Sequence, residues 1–157
     1  MDLATTSAGW PYCLYYHGFY FREIRRNQNN YQTQMRIQII MPGIVTPSGN
    51  EFKRWLRVNA YWRFGQIKKD YHNMLLLCNA HDEKYKVKGK EKRKVSFYSF
   101  RERLLDDDNL SEGFKYLRDK LIEFKLIYND SPKYLEPWYE QKIDQPLRTE
   151  IIIEDLE

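Results

Sequence analysis

The chain has 157 residues, 42% of them hydrophobic and 16% aromatic, with two cysteines and a formal net charge of +4. That length and apolar content suit one domain with its own core and exclude a disordered chain. No apolar run approaches the ~20 residues of a membrane span, two cysteines make no disulfide framework, and the N-terminus lacks a basic-then-apolar leader pattern, so the expected setting is intracellular.

Residues 1–34 are rich in Tyr, Asn and Gln and show no clean period. They read as an N-terminal extension or an overcalled start: either a packing or disordered appendage, or aromatics that stack on DNA bases together with Arg22, Arg25 and Arg26. The main domain is expected over 35–157, because a strand pattern, Arg36 to Met41, begins just after Met35 and ends at Pro42-Gly43. A turn-rich loop follows to Asn50. Glu51 to Cys78 reads as a helical stretch that Gly65 can interrupt. Trp55, Trp62, Ile67, Tyr71, Leu75 and Cys78 approximate its apolar face, and Lys53, Arg54, Arg57, Arg63, Lys68 and Lys69 surround that face. Packing against a sheet explains the first set; the second is either a surface laid along phosphates or a solvated basic face.

Asn79 to Lys94 is polar and lysine-rich, a mobile hairpin or loop with Gly89 near its tip. Val95 to Phe100 is the strand after it. Lys84 to Arg101 carries eight basic residues against one acid, Glu91, and Asp106, Asp107 and Asp108 follow almost at once. A basic strip that holds phosphates beside an acidic pocket that holds a metal is an arrangement suited to a nuclease. Beyond Asn109 a helix is expected, with Phe114, Leu117, Leu121 and Phe124 as its apolar stripe. Leu126-Ile127-Tyr128 then re-enters the sheet and sets Asp130 at a strand end. Trp138 to Lys142 is a further strand, Gln145-Pro146 a turn and Thr149 to Glu154 the closing strand. The class is therefore α+β, a mixed sheet with two main helices packed on it and the site at the sheet edge.

At about 100° per residue, Asp108, Lys115 and Asp119 share a face beside the apolar stripe. Clustered carboxylates repel unless a cation lies among them, and hard oxygen ligands suit Mg²⁺. An acidic first turn favoured by the helix dipole is the plainer reading of the same run. Asp-x-Asp-Asn-Leu, then Lys-x-x-x-Asp, then an Asp-containing turn before a last strand resembles the RusA family of Holliday junction resolvases. The matching residues are Asp106, Asp108, Asn109, Leu110, Lys115, Asp119 and Asp130. The opening strand and its Pro-Gly loop extend the likeness back to about Met35. Two departures stand out: Lys115 lies seven residues past Asp108, and Asn129-Asp130 occupies a place where paired aspartates are common.

The resemblance implies a homodimeric, Mg²⁺- or Mn²⁺-dependent crossover junction endodeoxyribonuclease that nicks four-way junctions in recombination and repair. It also implies a phage or prophage origin and the cytoplasm of a bacterial host. Asp106, Asp108 and Asp130 would be the metal ligands, Lys115 the residue that neutralises charge on the phosphorus, and Asn109 and Asp119 supporting residues; Asp107 would face away. The DNA surface would comprise Arg54, Arg57, Arg63, Lys68, Lys69, Lys88, Lys90, Lys92, Arg93 and Lys94. No G-x-G-x-x-G or P-loop supports a nucleotide cofactor. Cys13, His17, Cys78 and His81 have nominal zinc spacings, but the pairs are far apart in the chain and Cys78 reads as core. The competing readings are a non-catalytic DNA-binding recombination accessory and a phage structural protein that binds packaged DNA.

Overall fold

The computed structural model describes residues 20–23 and 35–156. Its strands are β1 (Tyr20–Glu23), β2 (Arg36–Pro42), β3 (Arg93–Arg101), β4 (Leu135–Ile143) and β5 (Arg148–Asp155). Its helices are α1 (Gly49–Arg57), α2 (Tyr61–Leu77), α3 (Asp107–Gly113) and α4 (Lys115–Glu123), and a short 3-10 turn spans Glu83–Tyr85. The expected α+β class holds. The strands form one sheet in the order β1-β2-β5-β3-β4, parallel only between β3 and β4.

Alternation in the strands builds the core. Ile37, Ile39 and Met41 of β2, Val95 and Phe97 of β3, and Ile151 and Ile153 of β5 are all fully buried. The register sets Ile39 beside Ile151 and Ile151 beside Phe97, so these side chains share one face. The helices cover that face, with Tyr71, Leu75, Phe114, Leu117 and Leu121 fully buried in the same cluster. A parallel pair needs a crossover connection, and α3 and α4 supply it between β3 and β4.

Three local expectations are corrected. The helical stretch from Glu51 breaks at residues 58–60 rather than at Gly65. Asn59 there adopts a left-handed conformation (φ 53°), and the Ala60 N–H returns to the Trp55 carbonyl at 2.9 Å. The break turns Trp62 outward, 68% exposed, while Ile67, Tyr71, Leu75 and Cys78 stay inside. Leu126-Ile127-Tyr128 does not rejoin the sheet. Lys125 reverses the chain at φ 59°, Leu126 and Ile127 pack into the core, and β4 begins at Leu135. Finally, Arg93 is no phosphate contact, because burial has given its guanidinium to the protein. Its Nε donates to Asp155 at 2.8 Å, and its Nη1 donates to the carbonyls of Tyr85 and Leu126 at 2.7 and 2.6 Å.

One strand comes from the expected extension: β1 pairs antiparallel with β2, Tyr20 opposite Ile40. Arg25, Arg26, Cys13 and His17 lie outside the described residues. Cys78 is buried, and burial pushes its thiol up to about 11, which suits the core reading. Among the described residues, no helix is long and apolar enough to cross a membrane.

Two glycines let α1 and α3 meet closely. A β-carbon on Gly113 would lie 2.3 Å from the Pro47 carbonyl oxygen, and one on Gly49 would lie 2.0 Å from a Glu112 carboxylate oxygen. Gly65, in contrast, has open space around it. Gly65→Ala should therefore raise stability by about 0.5–1 kcal/mol, the ordinary helix-interior gain. Gly113→Ala should lower it by roughly 1–3 kcal/mol, because the clash is with backbone that cannot rotate away. Denaturant unfolding of the two variants checks the pair, and a stabilised Gly113→Ala would refute the close crossing.

Candidate active site

The acid run is held at the carboxyl end of β3 by a side chain from the neighbouring strand. Gln141 of β4 pairs with Ser99 in the sheet and clamps Leu105 from both sides. Its Oε1 accepts from the Leu105 N–H at 2.9 Å, and its Nε2 donates to the Leu105 carbonyl at 2.6 Å. The next residue, Asp106, is the N-cap of α3. Its Oδ1 accepts from the Asn109 N–H at 2.9 Å and its Oδ2 from the Asn109 amide at 2.8 Å. Asn109 then accepts the Asn50 N–H at 2.8 Å, which ties the start of α3 to the start of α1. The Asn109 role is thus a double link between two helix N-termini.

These bonds hold the Asp106 carboxyl below the usual carboxylate range, chiefly through the Asn109 N–H and then its side-chain amide, with Lys53 adding a smaller pull. Asp107 and Asp108 occupy the exposed first turn of α3, where the helix dipole favours them. Among the described residues, neither carboxylate has a hydrogen bond or ion pair. Lys53 of α1 pairs with Glu112 at 3.1 Å on the other side of the same crossing.

The helix expected after Asn109 is divided at Phe114, which caps the end of α3 and the start of α4. Its ring is fully buried 4.9 Å from Phe97 and 5.7 Å from Tyr139. Lys115 and Asp119 lie exposed on α4. Burial, and after it the Asp119 charge, pushes the Tyr116 hydroxyl up. Asp130 is exposed on the turn before β4, near enough to Tyr139 for its charge to act on that hydroxyl. The same hydroxyl takes a 3.0 Å hydrogen bond from Arg118. Among the described residues, no three His, Cys, Asp or Glu side chains stand close enough to hold a metal ion. Asp106, Asp108 and Asp130 are therefore not gathered into one cluster in this conformation.

The basic residues divide between two places. Arg54 and Arg57 of α1 and Arg63, Lys68 and Lys69 of α2 are exposed. Lys68 sits 4.6 Å over the Tyr116 ring at the start of α4. The loop lysines surround the opposite end of β3. Lys88 and Lys92 line a pocket of about 440 Å³ with Glu91, Arg93 and Asp155, and Lys92 pairs with Glu136 at 3.5 Å. Lys90 is exposed and Lys94 half-buried. The Leu105 clamp at Gln141 lies six register positions from Leu135, the partner of Arg93. At ~3.3 Å per residue, that separates the lysine loop from the acid run by roughly 20 Å. The cation whose charge reaches Asp106 is instead Lys53 of α1.

Sequence reading missed several residues. Arg101, at the end of β3, is buried, and among the described residues its Nη1 has no partner; burial lowers the pKa of its guanidinium, and the Glu51 charge opposes that. Its position at the end of the strand before the acid run was the available signal. Gln141 and Asn50 carried none, since their roles arise from strand register and a helix crossing. No protein-family model matches the chain, and no curated protein matches it in sequence.

Asp106 supplies a pH-dependent prediction. Its carboxyl is depressed in the fold, so the cap stabilises the protein above the unfolded aspartate value of about 3.9 and is lost as pH falls through the lower folded value. Carboxyl titration by NMR should give Asp106 a midpoint below that of a free aspartate, and Asn109→Ala should move it upward. An ordinary midpoint in the parent protein would refute the cap.

Proposed function

We propose that the chain is a Mg²⁺-dependent endonuclease of branched DNA, related to the RusA resolvases and acting as a homodimer on four-way junctions. One observation carries this reading. An acid run with unneutralised carboxylates is tethered to a helical pair in which residues 53–69 hold six basic residues and no acid. Such a surface attracts a phosphate backbone and presents carboxylates beside it. The resemblance at Asp106, Asp108, Asn109, Lys115, Asp119 and Asp130 supports the same reading.

The donor set suits Mg²⁺ by its chemistry. Mg²⁺ is commonly bound by one or two carboxylates, with water and substrate phosphate completing its shell, so an all-protein cage is not required. Asp106 and Asp108 would hold the ion, with Asp130 as the third acid. When bound, the ion supplies polarisation of a phosphate oxygen and activation of a water. Asn109 fixes the Asp106 carboxylate through two hydrogen bonds. Lys115 neutralises charge that develops on the phosphorus, and Arg54, Arg57, Arg63, Lys68 and Lys69 hold the flanking phosphates. A two-fold dimer would present two such surfaces to the two strands that a symmetric junction requires to be nicked.

A second reading, a non-catalytic junction binder, is favoured by one feature: both Asp106 oxygens are already engaged by Asn109. A synthetic four-way junction and its matched linear duplex separate the two, each incubated with Mg²⁺ or EDTA and with parent or Asp108→Asn protein. The proposal expects paired nicks in the junction alone, absent in EDTA and reduced at least a hundredfold in Asp108→Asn, with junction binding retained. Tight binding with no cleavage in Mg²⁺ or Mn²⁺ would establish the binder instead.

A further inference from the structure

The break between α1 and α2 leaves a ridge of large apolar side chains in solvent. Leu56 is 52% exposed, Val58 63%, Tyr61 60% and Trp62 68%. All four fall within residues 56–62, at the corner between α1 and α2. Core packing does not explain Trp62, since the buried face of α2 begins at Ile67. The Arg63 guanidinium lies 5.0 Å from the Trp62 ring centroid and 5.7 Å from that of Trp55. Arg54 and Arg57 are exposed on the same corner, and no acid occurs between Lys53 and Lys69.

From this ridge we infer a base-stacking site for unpaired nucleotides, with Trp62 and Tyr61 as platforms and Arg54, Arg57 and Arg63 holding the adjoining phosphates. The inference rests on the nucleic-acid part of the reading above and goes beyond its cleavage chemistry. Exposed aromatic faces accept any base, and arginines beside them add both phosphate contact and cation–π attraction. A duplex keeps its bases stacked inside and has little to offer this ridge. A branch point or a single strand exposes them. An anionic partner fits the charge, and an aromatic one fits the rings; nucleic acid with unstacked bases is both. Asn50, at the acid run, and Val58, at the corner, are eight residues apart along α1. At 1.5 Å per residue the corner lies about 12 Å along α1 from the Asn50 end that is bonded to Asn109, so the ridge and the acid run sit at opposite ends of one short helix.

The test uses the full-length chain in EDTA, so that no cleavage intervenes, with three fluorescein-labelled probes: oligothymidine, the matched linear duplex and the four-way junction. Trp62→Ala should weaken oligothymidine and junction binding about tenfold and leave duplex binding within about twofold, in the range expected for one lost stacking contact. Trp62→Phe should restore most of the loss. Replacing Arg54, Arg57 and Arg63 by Gln should weaken all three probes and flatten the salt dependence. Unchanged oligothymidine affinity in Trp62→Ala would overturn the inference. So would a drop in sedimenting mass for that variant, which would make the ridge a contact between copies. Failure of the nuclease reading looks different: Trp62-dependent binding persists but no probe is cut in Mg²⁺. Trp62 is exposed, so the variant should keep the parent's circular dichroism, and a variant with altered spectra would be replaced by Tyr61→Ala.

Discussion

The close crossing of α1 over α3 is the constraint on which the candidate site depends. Gly49 and Gly113 remove the two β-carbons that would keep the helices apart. Their absence brings the Asn50 N–H to Asn109, and Asn109 in turn orients Asp106. Lys53 and Glu112 pair across the same crossing. A basic helix and an acidic helix start are thus held together by backbone proximity, with ion pairing as a secondary contact. Exposed pairs contribute little energy; the glycines permit the approach, and the Asn50–Asn109 hydrogen bond joins the two helix starts.

The rest of the fold serves as a frame for that crossing. Phe114 divides the α3–α4 crossover and anchors it by seating its ring against Phe97 and Tyr139. Gln141 fixes where the acid run leaves the sheet. At the other end of β3, Arg93 ties three separate segments together through the Tyr85 and Leu126 carbonyls and the Asp155 carboxylate. The lysine loop and Arg93 belong to one end of the parallel pair, and the acids with Lys53 and the start of α1 belong to the other.

Much of the sheet was legible in the sequence because Arg36 to Met41 and Thr149 to Glu154 are short runs rich in β-branched residues; the alternation that builds the core shows only in their burial. The Phe114, Leu117, Leu121 and Phe124 stripe was legible as a helical period, even though the helix divides within it. The break at Asn59 was not, since a left-handed asparagine carries no periodic signature and Gly65 looked the better breaker. Nor was the burial of Arg93, because a guanidinium enters a core only when three partners from distant segments converge on it. The site was legible as residue types and spacing; its neighbours were not. The loop lysines are near the acid run in sequence, but β3 carries the chain away from them, and α1, remote in sequence, takes their place.

The central claim is that the α3 start is a metal-dependent phosphodiester site. Paramagnetic broadening of backbone amides by substoichiometric Mn²⁺, with uncut junction DNA present, tests it most directly. The account predicts broadening centred on Asp106 to Asn109, extending to the Asp130 turn and reversed by excess Mg²⁺. Broadening centred elsewhere, or none around Asp106 to Asn109, would contradict it.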